Sequence, residues 1–398
     1  MTAKVEVKNL TKIFGRRIPR AQQLLSEGKS KAEILEETGA TIGVNQANFS
    51  VQDGEIFVIM GLSGSGKSTL IRMINRLIEP TEGEISIDGE DLMTLDKNGL
   101  REVRRKKMSM VFQNFALFPN RTILQNVGYG LEVQGIDQDT RDKKAHDSLE
   151  LVGLHGYDDQ YPQQLSGGMQ QRVGLARALA NDAEVLLMDE AFSALDPLNR
   201  KDMQDELLEL QEKMHKTIIF ISHDLNEALR IGDRIMIMKD GVIVQTGTPE
   251  DILTNPADDY VERFIEDVDR TKVLTVANVM IRPNTVNIDK DGPRIALRRM
   301  RDNDISSIYV VDNERRFVGF ADADDVAALI QQGNRDLSSV VTKREVPITS
   351  PDTPVRDLMD QISSTPVPFA VLDDQKHLVG IIVRGAVLGA IAGNEVTE

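Results

Sequence analysis

Glu55–Leu77 reads EIFVIMGLSGSGKSTLIRMINRL, and the reading of the rest of the chain follows from it. Glu55–Met60 is a strand of the type buried on both faces. Gly61–Thr69 follows as a glycine-rich loop, and Thr69–Leu77 predicts a helix behind it. Such a loop turns its backbone N–H groups inward around phosphates, while Lys67 reaches the outer phosphates and Ser68 offers its hydroxyl to Mg²⁺. The helix adds the positive end of its dipole. Gly61, Ser63, Gly64, Ser65, Gly66, Lys67, Ser68 and Thr69 are the candidate phosphate contacts. At average composition a chain of this length would contain the pattern by chance with a probability of ~1%. A turn that merely joined strand to helix would not need the lysine.

Downstream, Gly83–Ile87 and Met108–Gln113 predict strands, and Arg141–Val152 and Met169–Ala180 predict helices. Val185–Met188 and Thr217–Ile221 are apolar runs of parallel-sheet type, with helix Asn199–Met214 between them as a βαβ unit. Arg234–Met238 and Val242–Thr246, joined by Asp240-Gly241, read as a hairpin. Upstream, strands at Val5–Val7 and Gln46–Val51 bracket Ile18–Thr38, where Gly28 divides two short amphipathic helices and Ser30 caps the second. Packing over the sheet edge is their simplest role.

A chain of 398 residues predicts two or three domains. Without cysteine, disulfides and thiolate metal sites are excluded. The five histidines show no paired spacing, which leaves little case for zinc. No run approaches a membrane span; Gly380–Gly393 is short and interrupted by Arg384. Met1–Leu10 reads as a strand and not a secretory signal, so the cytoplasm is the expected compartment. The net charge of −16 argues against nucleic acid as a partner. From Thr271 onward, 15 basic residues face 18 acidic ones, so the acidity belongs to the first 270 residues, where it favours solubility.

Asp189-Glu190 ends the strand Val185–Met188, where open α/β sheets bind ligands. Asp189 fits a role in holding Mg²⁺, and Glu190 is placed to orient or deprotonate a water. His223 stands just beyond Thr217–Ile221, where an imidazole could bond a γ-phosphate. Gln113 ends another apolar strand and offers a donor and an acceptor toward Mg²⁺ or water. Leu165–Arg172 reads LSGGMQQR, whose Ser166-Gly167-Gly168 is a second phosphate-reading turn leading into a helix. One nucleotide needs a single phosphate loop, so a second reader predicts a site shared between two chains.

These elements, in this order, resemble the ATPase subunit of an ABC transporter over roughly residues 1–250. The resemblance implies an α/β P-loop NTPase with a RecA-like core, an antiparallel β subdomain and a helical subdomain. It makes Phe14 the aromatic that stacks on adenine and Gly61–Thr69 the Walker A loop. Ser68, Gln113 and Asp189 become Mg²⁺ ligands, and Glu190, His223 and Gln113 the catalytic group. Ser166, Gly167, Gly168, Met169 and Asp196 become contacts to the partner chain's ATP, with Met169 standing where the family has glutamine. Phe115–Pro119 resembles the region that receives a membrane partner.

The tail repeats at an offset of 61 residues. Tyr309-Val310-Val311-Asp312 matches Ala370-Val371-Leu372-Asp373, and Phe317-Val318-Gly319 matches Leu378-Val379-Gly380. Each copy predicts strand, helix, strand, tight turn, strand, helix, and two such units would pack as one pseudo-two-fold body. The pair resembles tandem CBS modules, which implies an adenine nucleotide between the repeats. Many such modules place Thr/Ser and Asp three and six residues after the glycine of the last strand. Here the first copy gives Asp322 and Asp325 after Gly319, and the second gives Val383 and Ala386 after Gly380. The expected domains are residues 1–270, with a helical insertion at about 16–44, then 271–332 and 333–398.

The combination resembles the glycine betaine/proline betaine importers of osmoregulation. That implies a homodimer with ATP and Mg²⁺, peripheral on the cytoplasmic membrane face, and permease subunits with a substrate-binding domain or protein. It also implies regulation through the CBS pair, for which cyclic di-AMP has a fitting two-fold symmetry. The rival readings are an importer ATPase for another small solute and a soluble nucleotide-sensing ATPase without a permease.

Overall fold

The computed structural model describes residues 3–391 apart from 113–114, 194, 267, 343–345 and 366. The chain divides into two units, Met1–Asp267 and Val268–Glu398.

Among the described residues the first unit holds ten strands: β1 Ala3–Phe14, β2 Thr41–Gln52, β3 Ile56–Met60, β4 Glu82–Ile87, β5 Glu90–Asp91, β6 Met108–Val111, β7 Val185–Asp189, β8 Thr217–Ile221, β9 Arg234–Lys239 and β10 Val242–Gly247. One sheet is antiparallel in the order β2-β1-β4-β5. The other runs β10-β9-β3-β8-β7-β6, parallel except for β10 at its edge. Every residue of β3, β7 and β8 is buried, as required of strands covered on both faces. One core joins the two sheets, from Val5, Val7 and Val51 to Phe57, Leu187 and Ile221. The stacked rings of Phe49 and Phe57, 5.4 Å apart, help close it.

Helices occupy Ile18–Ser26 and Lys31–Thr38, on either side of Gly28. Ser30 forms a full capping box with Glu33, which satisfies two N–H groups at the start of the second helix. Ala21, Leu24 and Ile34 close a small core over Ile13, Ala40 and Ile42 of the antiparallel sheet side. Helix Lys67–Ile74 begins two residues earlier than the sequence pattern suggested, directly behind the glycine-rich loop.

In the second unit, β11 Thr285–Asn287, β12 Ser307–Val311 and β13 Phe317–Asp322 form one sheet. β14 Ile348–Thr349, β15 Phe369–Leu372 and β16 Leu378–Ile382 form the other, with the same parallel-then-antiparallel pairing. The repeats interlock. Helix Val276–Val279 packs among Val355, Leu358, Phe369 and Ile382 of the second copy, and Ile281 and Ile381 exchange backbone hydrogen bonds of 2.9 and 3.0 Å. Conversely, Leu337 and Val340 pack in the core of the first copy. Each repeat therefore completes its core with the segment that leads into the other. Between the sheets, Tyr309, Val311, Phe320, Val346, Ala370 and Leu378 form a shared cluster. Among the described residues no helix is long and apolar enough to cross a membrane.

Candidate active site

β3 delivers the chain into a loop that glycine alone tolerates at two crowded points. Gly61 has φ +145°, and a Cβ there would lie 2.2 Å from the Met238 carbonyl oxygen; at Gly66, φ +102°, it would lie 2.4 Å from that of Gly43. The loop is braced from behind, because Gly241 N–H donates to Ser65 O (2.9 Å) and Asn45 N–H to Gly241 O (2.8 Å). Lys67 is 6% exposed, and its ammonium donates back to the carbonyls of Gly61 (2.7 Å) and Leu62 (3.2 Å). Burial holds its pKa below the ordinary lysine value, against the carboxylates of Glu190 and Asp189. An anion beside it would relieve that cost. The Ser65 hydroxyl oxygen is buried with no hydrogen-bond partner.

The neighbouring strands β8 and β7 bring up the acidic side of the site. Asp189 is 3% exposed; it accepts from Ser68 Oγ at 3.0 Å and from Arg72 Nη2 at 3.1 Å. A serine hydroxyl and a buried carboxylate oxygen in contact are the hard donors that suit Mg²⁺, so these residues fit the ion. Glu190 begins a tight turn in the left-handed region, φ +50°, a conformation that costs a non-glycine residue ~1 kcal/mol or more. The turn is held by Ser193, whose N–H (3.2 Å) and Oγ (2.9 Å) both donate to Glu190 O. His223 Nδ1 stands 3.7 Å from Glu190 Oε2, beyond hydrogen-bond length.

Phe14, Thr41, Lys67, Ser68, Glu190 and His223 line a common cavity of about 600 Å³, together with Ile42, Gly43, Ser63, Gly64, Gly66 and Thr69. Ser166, Gly167, Gly168, Met169 and Asp196 do not line it. Ser166 instead caps helix Gly167–Ala180, accepting from Met169 N–H at 3.3 Å, and its turn is open to solvent, with nothing within 4 Å of a Cβ built at Gly167. Asp196 caps helix Pro197–Met214, and Asn199 holds its carboxyl below the usual aspartate range. Gln113 lies outside the described residues.

Three arginines tie these parts together, and the sequence reading did not single them out. Arg72 neutralises Asp189. Arg200 donates to Leu195 O (3.1 Å) and contacts Asp224 (3.4 Å), linking the turn after Glu190 to the residue after His223. Arg177, on the helix behind Ser166, donates to the carbonyls of Ala116 (2.7 Å) and Phe115 (2.9 Å). No motif marks them, because each acts on a backbone carbonyl or on a distant residue.

In the second unit, Asp322 precedes helix Ala323–Gln331 and caps it with no side-chain hydrogen bond, while Asp325 is exposed in its first turn. A cavity of about 500 Å³ opens in the second repeat, lined among others by Thr365, Phe369, Val383 and Arg384, and neither aspartate lines it. Arg384 donates to the carbonyls of Ile362 and Ser363.

The ABC transporter family model matches residues 44–193, and the CBS domain model matches residues 276–332 and 337–393. The chain is 65% identical to the glycine betaine/carnitine transport ATP-binding protein GbuA of Listeria monocytogenes, covering 99% of each chain. It is 59% identical to the glycine betaine transport ATP-binding protein OpuAA of Bacillus subtilis, over 98% of this chain and 93% of the relative. It is 49% identical to the glycine betaine/proline betaine transport system ATP-binding protein ProV of Escherichia coli, over 98% of each. Among solved structures, it resembles a dimeric post-hydrolysis state of the ATP-binding cassette MJ0796 bound to ADP and Pi. That match has TM-score 0.53 and 34% identity, and covers 62% of this chain and 98% of the cassette.

Proposed function

This chain belongs to the ATP-binding subunits of the glycine betaine ABC transporters, with tandem CBS domains, and from that premise we propose how its residues work and what they move. It is an ATPase of the transport-coupled class. We assign the cargo to the quaternary ammonium compatible solutes, glycine betaine foremost, carried by permease subunits on whose cytoplasmic face this chain sits. We divide the chain into an ATPase of about 270 residues and two CBS repeats, a reading the two units support.

The observation that carries the mechanism is the open cavity. Lys67, Ser68, Glu190 and His223 assemble around it, with Asp189 bonded to Ser68 from behind, while the turn at Ser166–Gly168 faces solvent. Two chains facing head to tail would place each turn over the other's cavity, with Asp196 beside it. Lys67 and the loop N–H groups bind the phosphates, and Phe14 stacks on the base. Ser68, Asp189 and Gln113 would hold Mg²⁺, and the ion would supply neutralisation of charge on the outer phosphates. Glu190 accepts a proton from the attacking water, and His223 fixes the γ-phosphate edge. Arg177 transmits closure from the Ser166 helix to Phe115–Pro119, the permease contact. Purified chain carrying Glu190→Gln should bind ATP and accumulate as a closed dimer in light scattering. Undiminished turnover in that variant would overturn the assignment.

The CBS pair is a regulatory site for an adenine nucleotide, cyclic di-AMP included. Asp325, the ribose-type carboxylate of the first repeat, supports it, while Asp322 stands where many such modules place a hydroxyl for phosphate. Calorimetry of the full chain saturated with ATP-Mg²⁺, titrated with cyclic di-AMP and then AMP, tests it. Heat lost in Asp325→Ala is expected, and no heat from either ligand assigns the pair a structural role.

A further inference from the structure

We propose that the helical arm ahead of Ser166 carries a transition-metal site of the zinc class, built from His146, Glu150 and His155 and oriented by Asp158. The five histidines look scattered in sequence, but the fold brings two of them to one carboxylate. His146 and Glu150 lie one turn apart on helix Gln138–Leu151, so they share a face. The chain then reverses at Gly153, and His155 returns to the same oxygen. Glu150 Oε1 is 3.4 Å from His146 Nε2 and 3.2 Å from His155 Nδ1, and the three ligand atoms lie within 4.8 Å of one another. Bonds of ~2.0–2.1 Å in a tetrahedral zinc site give ligand–ligand edges of about 3.4 Å.

A second observation concerns the far side of the ring. His146 Nδ1 is 2.8 Å from Asp158 Oδ1, the carboxylate–histidine arrangement that orients metal-bound imidazoles. With Nδ1–H spent on Asp158, a neutral His146 aims the Nε2 lone pair at Glu150 Oε1. A cation between those two atoms, either a metal ion or a proton on Nε2, joins them. Asp158 is itself fixed, because its carbonyl accepts from Leu124 N–H at 3.0 Å. His155 is 79% exposed, which leaves water access to a fourth position. Two imidazoles and one carboxylate select Zn²⁺, Co²⁺ or Ni²⁺ over Mg²⁺ or Ca²⁺, so the site is chemically separate from the nucleotide's ion. Arg172, on the helix that starts at Ser166, donates to Val152 O at 2.8 Å. A bound ion would thus pin the end of helix Gln138–Leu151 to the loop that leads into the Ser166 turn.

The full chain, stripped of metal with chelator and kept free of nucleotide, is titrated with Co²⁺ alone. One equivalent should produce the intense visible bands of four-coordinate Co²⁺, bleached by Zn²⁺ and untouched by excess Mg²⁺. His155→Ala and Glu150→Gln should abolish the bands. Asp158→Asn, which keeps all three ligands, should weaken affinity by about 10–100-fold. His155 is exposed, so its variant's melting temperature in chelator should match that of the parent and exclude misfolding. No stoichiometric bands in the parent, or equal bands in His155→Ala, would reduce the cluster to proton-bridged ion pairs and overturn the site.

Discussion

In the N-terminal unit, the ends of three adjacent parallel strands, β3, β8 and β7, converge on one cavity and supply Lys67 with Ser68, His223 and Glu190 to its lining, with Asp189 bonded behind Ser68. In the C-terminal unit, the last strands of the two repeats end on Asp322 and on Ile382-Val383, in a pair of sheets with identical pairing. The sheets of both units present strand ends where a ligand would sit. What separates them is side-chain chemistry. The first unit aims a desolvated cation and the Glu190 carboxylate at its cavity, and the second repeat offers Val383 beside an Arg384 that is spent on the carbonyls of Ile362 and Ser363. A fold specifies where binding occurs, and residues at a few strand ends specify what is bound.

That contrast predicts a steep gradient of mutational effects. Glu190→Gln should lower ATP turnover by on the order of 10²–10⁴ while leaving ATP affinity in place, checked by phosphate release beside equilibrium binding. Lys67→Ala should weaken the outer-phosphate contacts by roughly 10²–10³ in kcat/KM, with the melting of the CBS unit unmoved. In the C-terminal unit the large effect should be structural. Leu337 is 1% exposed in the core of the first repeat, so Leu337→Ala should cost ~2–5 kcal/mol and destabilise that repeat, although Leu337 stands at the start of the second. A variant that loosens the second repeat first would break the interlocked picture.

Smaller effects sharpen the coupling. Arg177→Ala removes two hydrogen bonds to the Phe115–Ala116 loop, about 1–3 kcal/mol of local order. It should reduce permease-stimulated ATPase more than basal ATPase. The smallest effect concerns Glu227, whose carboxyl burial pushes up against the hydrogen bonds of Ser222 and Gln204. Below the ordinary glutamate pKa, ~4.3, both folded and unfolded states are protonated and no penalty exists. The penalty grows as pH rises through the elevated folded value. Glu227→Gln should therefore match the parent in acid and melt on the order of 2 °C higher at pH 7.

Much of this was legible in sequence. The P-loop, the Asp189-Glu190 pair and the Ser30 cap are local patterns, and their chemistry depends on neighbours a few residues away. The 61-residue repeat disclosed the strand and helix order of the tail for the same reason. Contacts between distant segments were not legible. Arg177 grips carbonyls more than sixty positions earlier in the chain, and the repeats exchange Val276–Val279 for Leu337–Val340. His155 meets His146 because the chain reverses past the end of a helix, which breaks any helical spacing between them.

The central claim is that each ATP site is completed by the other chain's Ser166 turn. The direct test places Lys67→Ala in one chain and Ser166→Arg in another, both in the Glu190→Gln background, and measures occluded ATP per dimer. Each variant alone should occlude none. Mixed dimers should occlude one ATP, because both lesions fall in a single shared site and the other site stays intact. No occlusion in the mixture would mean that each chain builds its site alone, and would contradict the account.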